Sequence, residues 1–282
     1  MDGEAILHAR ETGRLWLSAG ADVTVDQRRV QAPSDHLEGA AAVIVLGLRI
    51  PQESVERLGQ EPAEAIGPYA FAQHQSHRHL RLTAVALTKI LQGWGWHCAV
   101  TDDLCGTGSW VANPRGQYPN AFSNRFAAVA AGLGTLTRGG FVRHPHFGTS
   151  MRYLAIVVDQ PLTEDPLADL AGLRQECDHG CRRCLSACTV EAFKEPFEVR
   201  IGATPLAFTL IDQCRCDWAL RYGLVPDEGV KLTGSQSNVP VPEEVTAEAL
   251  SEGMKLQDKV LKIRPCVAEM CLMACPYTRP QA

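Results

Sequence analysis

Nine of the eleven cysteines of this 282-residue chain fall between Cys177 and Cys275. That crowding constrains the chain more than any other feature, because thiols gathered this way must be bridged, metal-bound or packed away. The segment CDHGCRRCLSAC places Cys177, Cys181, Cys184 and Cys188 in the spacing C-x3-C-x2-C-x3-C. A second group, CVAEMCLMACP, supplies Cys266, Cys271 and Cys275, and Pro276 follows the last of them. Between the groups stand Cys214 and Cys216 in IDQCRCDW. The N-terminal MDGEAILHARETG is acidic and mixed and lacks the basic-then-apolar order of a secretory signal, so a cytoplasmic location is expected. Arg28-Arg29 precede the apolar run Ala40 to Leu48, but Asp35 and Glu38 interrupt an export-signal reading, and the run suits a buried strand. In a reducing compartment clustered cysteines serve metals or redox chemistry more than disulfides.

Bacterial ferredoxins space their cluster ligands C-x2-C-x2-C-x3-C-P, with the fourth thiolate crossing to the other cluster. Here one residue is inserted in the first group and Thr189 replaces the proline, while the second group restores the C-x3-C-P ending. Two such groups imply two [4Fe-4S] clusters with exchanged fourth ligands. Cys177, Cys181 and Cys184 are expected to take Cys275. Cys188 is expected to join Cys266, Cys271 and either Cys214 or Cys216. A structural zinc ion accounts for one group of four thiolates and gives no reason for two. Buried free thiols give no reason for the spacing. A thioredoxin-type reading of Cys181 and Cys184 is opposed by their flanking cysteines. Cys98 and Cys105 read as packing residues and His179 as an exposed polar one.

The rest of the composition is that of an ordinary folded domain: 45% hydrophobic and 21% charged residues exclude disorder for most of the length. With 27 Lys and Arg against 32 Asp and Glu, the net charge of −5 offers no broad positive field for nucleic acid or an anionic membrane. No run approaches the roughly 20 apolar residues of a membrane span. The N-terminal half alternates helical and strand patterns, which predicts an α/β layer structure. AAVIVLGLRIP, GWHCAV and Met151 to Val158 read as strands, Tyr69 to Gln92 as a long helix, and residues 102–120 as a long loop. Phe122, Phe126 and Val129 mark a short helix that Gly132 ends. Residues 241–263 read as a polar helix. His74 and His77 could share a helix face with His79 nearby, but without a third ligand they read as surface. Gly132 and Gly134 do not make a dinucleotide loop, since Thr137 stands where its third glycine belongs.

NRFAAVAAGLGTLTRGGFVRHPHFGTSMRYLAIVVDQPL, residues 124–162, resembles the family of epoxyqueuosine reductases and reductive dehalogenases. The matching features are Arg125, the AGLG of residues 131–134, Arg138-Gly139-Gly140, HPHFG ending at Gly148, the strand running to Pro161-Leu162, and the CPYTR ending. The resemblance within these 282 residues does not reach a helical-repeat extension of the kind epoxyqueuosine reductases carry. The resemblance implies an α/β domain of nitroreductase-like, corrinoid-binding type over residues 1–165, then a ferredoxin-like domain with two [4Fe-4S] clusters over 166–282. It favours Cys216 over Cys214, four residues after Asp212. It implies base-off cobalamin near Arg125, Gly132, Gly134, Gly139, Gly140, Gly148 and Arg152, although no D-x-H-x-x-G motif is present to supply a histidine ligand. Tyr118 falls where epoxyqueuosine reductases carry a catalytic Asp, and reductive dehalogenases resemble it in using Tyr as the proton donor. The implied activity is an iron-sulfur reductase acting on cobalamin or a small-molecule substrate, fed by a donor such as a ferredoxin or flavodoxin. A non-catalytic electron carrier or corrinoid-handling protein is the competing expectation.

Overall fold

The computed structural model describes residues 32–56, 66–101, 124–168, 172–188, 190–201, 204–211, 215–216, 241–244, 246, 248–249, 252 and 270–278. Tyr118, Cys105, Asp212, Cys214 and Cys266 lie outside them, as do Arg28-Arg29 and most of the helix read over 241–263.

A short helix α1 (Pro33–His36) leads into strand β1 (Ala42–Arg49), which Pro51 stops before α2 (Gln52–Glu56). The long helix α3 (Ile66–Gly93) returns to β2 (Cys98–Val100). Helix α4 (Asn124–Ala130) is followed by the small hairpin β3 (Thr135–Leu136) and β4 (Val142–Arg143), and then by β5 (Met151–Val158). The sheet order is β1-β5-β2, and both pairs are antiparallel. Every residue of β5 except Arg152 is buried, as the sequence predicts for a central strand covered on both faces.

Alternation along β5 divides the core. Leu154, Ile156 and Val158 pack against Leu80, Ala84 and Leu91 of α3, which recur at helical spacing. Ala155 and Val157 face the opposite way, onto Ala127 of α4, and Tyr153 joins Phe126 and Val129 there. Asn124 fixes α4 to the sheet. Its Oδ1 accepts from the Thr101 hydroxyl at 2.6 Å and from the Ala155 amide at 2.9 Å. Cys98 is half-buried against the α3 face, a packing residue. Gly132 has φ +73 immediately after α4, the left-handed turn that ends a helix.

The second half of the chain opens with two one-turn helices, α5 (Gln175–Asp178) and α6 (Arg183–Ser186). The hairpin β6 (Phe193–Ile201) and β7 (Thr204–Ile211) follows, and α7 (Met270–Met273) lies near the C-terminus. This hairpin is absent from the sequence reading. Pro196 and three glutamates in and beside β6 hide its alternation, while Leu206 and Phe208 of β7 complete the core around Phe126. Among the described residues, no helix is long and apolar enough to cross a membrane.

Candidate iron-sulfur site

Two segments far apart in sequence meet at one point. Cys177 on α5, Cys184 on α6 and Cys275 just beyond α7 are all buried, and Cys181 between the first two is half-buried. None of the eight described cysteines is in a disulfide. Burial pushes the Cys184 thiol up to about 12, reinforced by the neighbouring Cys275 and Cys177 and by Cys181. Burial likewise pushes Cys275 up to about 11; the Tyr277 amide opposes the shift, and Cys177 and Cys181 add to it. Cys177 is raised by burial too, with the Arg138 amide opposing. Cys184 and Cys275 both feel Cys177 and Cys181, and Cys177 packs with Cys275 and Tyr277.

The turn between β3 and β4 builds one wall of this group. Thr137 and Phe141 close it by hydrogen bonds, and Gly140 takes φ +77 to let it turn. The Arg138 amide donates to Cys177 Sγ at 3.3 Å, and its guanidinium donates to the Cys177 carbonyl at 2.6 Å. A Cβ on Gly139 would stand 3.1 Å from Cys184 Sγ, so glycine there lets the turn lie against the sulfur.

The other wall is the Cys275–Thr278 segment, held by residues 148–150. The Thr149 amide donates to the Tyr277 carbonyl at 3.0 Å, and the Ser150 hydroxyl donates to the Thr278 carbonyl at 2.9 Å. The Thr149 and Thr278 hydroxyls lie 3.0 Å apart, and Thr278 Oγ1 also bonds the Leu272 carbonyl.

Of the remaining expected ligands, Cys188, Cys216 and Cys271 lie in segments that touch one another. Cys188 Sγ accepts from the Ala192 amide at 3.2 Å. Next to Cys216, Arg215 Nε donates to the Val190 carbonyl at 2.8 Å, which ties residues 215–216 to the end of the first cysteine segment. Cys271 lies on α7, which packs against α6. Cys188, Cys216 and Cys271 are each half-buried. Among the described residues, no three His, Cys, Asp or Glu side chains converge as they would on a single metal ion.

The residues expected at a corrinoid are engaged within the chain. A Cβ on Gly132 would collide with the Pro166 carbonyl, one on Gly134 with that of Arg143, and one on Gly148 with that of Tyr277. The close approach anticipated from these glycines is therefore made by the chain's own backbone, and by Cys184 at Gly139. Arg125 donates to the Gly140 carbonyl at 3.0 Å and stands over the Phe141 ring, its centroid 5.8 Å away. Arg152 Nε donates to His77 Nε2 at 3.1 Å, which gives that histidine a partner in the sheet. His79 and His179 are exposed. The backbone amides aimed at sulfur had no signal in the sequence beyond the glycines beside them.

No family model and no curated protein sequence matches the chain. Solved structures similar to it include a catabolic reductive dehalogenase, at 16% identity and TM-score 0.47, covering 82% of this chain and 29% of that one. An epoxyqueuosine reductase solved with a tRNA stem loop matches at 16% identity and TM-score 0.47, over 97% of this chain and 74% of that one. The epoxyqueuosine reductase of Streptococcus thermophilus matches at 15% identity and TM-score 0.43, over 96% and 72%. The chain thus spans about three tenths of the reductive dehalogenase and nearly three quarters of the epoxyqueuosine reductases.

Proposed function

We propose that this chain is an iron-sulfur reductase. One [4Fe-4S] cluster is held by Cys177, Cys181, Cys184 and Cys275, and a second by Cys188, Cys216, Cys266 and Cys271. Residues 166–282 form the ferredoxin-like cluster domain, and residues 1–165 the domain that receives the electrons. The observation that carries the reading is the meeting of Cys275 with a cysteine group some ninety residues earlier, at a site lined by amides that donate to sulfur. The donor set suits a cluster. A zinc ion draws four sulfurs to about 2.3 Å from one centre, whereas a cubane takes each thiolate on a separate iron.

Such a cluster, when bound, supplies one-electron transfer at a potential tuned by burial and by hydrogen bonds to sulfur. The chain's part is to hold the thiolates, keep water away, and place the Arg138 and Ala192 amides against Cys177 and Cys188, where positive dipoles favour the reduced state. The electrons come from a small acidic donor such as a ferredoxin or flavodoxin. Their acceptor is cobalamin or a small-molecule substrate, with Tyr118 as proton donor. Among the described residues, Arg125 and Arg152 each donate within the chain, and Gly132, Gly134 and Gly148 lie against the chain's own carbonyls. That observation favours a second reading, an electron carrier that serves another enzyme.

Anaerobic reconstitution tests the first claim. Iron and labile sulfide are each expected near eight per chain, falling to about half in Cys275→Ser. Stoichiometric zinc without sulfide overturns it. Titration of the loaded protein with cobalamin, followed by absorption, separates the two readings: a spectral change on binding supports the reductase, and an unchanged spectrum leaves the carrier. With a bound corrinoid, unimpaired turnover in Tyr118→Phe removes the role given to that phenol.

A further inference from the structure

We infer that Tyr277 is the positioning residue that joins the two cysteine segments into one site, through a phenol that caps the helix carrying Cys177. The inference rests on the iron-sulfur reading of that site and concerns how the chain assembles it.

Helix α5 has no cap of its own. Arg174, at its N-cap, makes no side-chain hydrogen bond to the first turn, whose amides have no partner within the helix. The Tyr277 hydroxyl fills that place from across the site, accepting from the Glu176 amide at 2.7 Å, one residue before Cys177. Tyr277 also lies two residues after Cys275, and Cys177, Cys275 and Tyr277 form one buried group. The ring is pinned on its other side. The Arg143 guanidinium stands 3.7 Å from the ring centroid and donates to the carbonyls of Gly172, at 3.3 Å, and Leu173. The backbone is pinned as well, since the Tyr277 carbonyl accepts from the Thr149 amide at 3.0 Å. One side chain therefore touches α5, the β4 strand that carries Arg143, and the segment bearing Cys275. Phenylalanine fills the same space and keeps the ring under Arg143, but removes the acceptor that ties the Glu176 amide to the Cys275 segment.

The test compares wild type with Tyr277→Phe in the full chain, reconstituted anaerobically with iron and sulfide. The variant is expected to keep the circular dichroism of wild type, to lose cluster absorbance to an iron chelator about tenfold faster, and to show a shifted midpoint potential for one cluster only. Equal chelation rates and equal potentials overturn the inference. If wild type itself takes up no iron and sulfide, the iron-sulfur reading fails on its own evidence. The positioning role is then read on the metal-free thiols. Alkylation of Cys177 and Cys275 is expected to be faster in Tyr277→Phe than in wild type, and equal rates overturn the role there too. Tyr277→Trp, which keeps a ring under Arg143 but whose indole N–H cannot accept from the Glu176 amide, should not restore wild-type behaviour. Restoration would mean that ring packing suffices and would also overturn the inference.

Discussion

At the scale of single residues, what surrounds a side chain decides whether it is an asset. Among the described residues the Tyr153 hydroxyl, buried beneath α4, has no hydrogen-bond partner, and burial drives its titration far above the usual phenol range. An unpaired buried hydroxyl costs about 1–3 kcal/mol. Tyr153→Phe is therefore expected to raise stability by about 1 kcal/mol or more, read as a higher urea midpoint at unchanged slope. A lower midpoint would show that the phenol has a partner in the folded state. Tyr277 is the opposite case, since its hydroxyl accepts from the Glu176 amide.

At the scale of elements, short turns place the site more than regular structure does. Residues 148–150 leave a hairpin loop, enter β5, and clamp the Cys275–Thr278 segment on the way. Gly148 makes this possible with φ +64 and no Cβ against the Tyr277 carbonyl. Alanine there meets both penalties, with the left-handed backbone alone costing about 1–2 kcal/mol. Gly148→Ala is expected to unseat the clamp, so that reconstituted protein holds about half the iron while the spectrum of β1, β5 and α3 persists. Full iron content in that variant would mean that Cys275 is placed by its own helix alone. The β3–β4 turn acts on the other wall in the same manner, through the Arg138 amide and Gly139.

Across the whole molecule, the buried cysteines link folding to pH. Without metal, Cys184 and Cys275 hold their protons up to about 12 and about 11, against about 8.5 to 9 in an unfolded chain. The folded chain thus binds protons more tightly, so its stability is fully present below about pH 9 and falls as the pH rises towards 11 to 12. The loss is about 1.4 kcal/mol per thiol for each pH unit above the unfolded value. Metal-free reduced protein is expected to have a clearly lower urea midpoint at pH 10 than at pH 7.5, whereas the loaded protein, its thiolates already ionised, should change little. Equal midpoints for the metal-free protein would mean that these thiols are not buried together.

Much of the fold was legible in local pattern. Apolar runs without alternation identify β1 and β5 because a strand covered on both faces needs no polar side. The spacing of Leu80, Ala84, Leu87 and Leu91 identifies α3 because one face of a helix meets the sheet. The spacing of Cys177, Cys181, Cys184 and Cys188 suggests metal ligation because ligands must return to one place every few residues. The β6–β7 hairpin escaped notice because its outer face is charged and its apolar contacts lie on a distant helix. The missing Cβ of Gly132, Gly134, Gly139 and Gly148 is written in the sequence and allows a close approach. What approaches them is not, and tertiary structure supplied backbone carbonyls and a cysteine sulfur. The meeting of Cys275 with Cys177, the Arg138 amide on sulfur and the Tyr277 cap all join residues tens of positions apart, and only the folded chain brings them together.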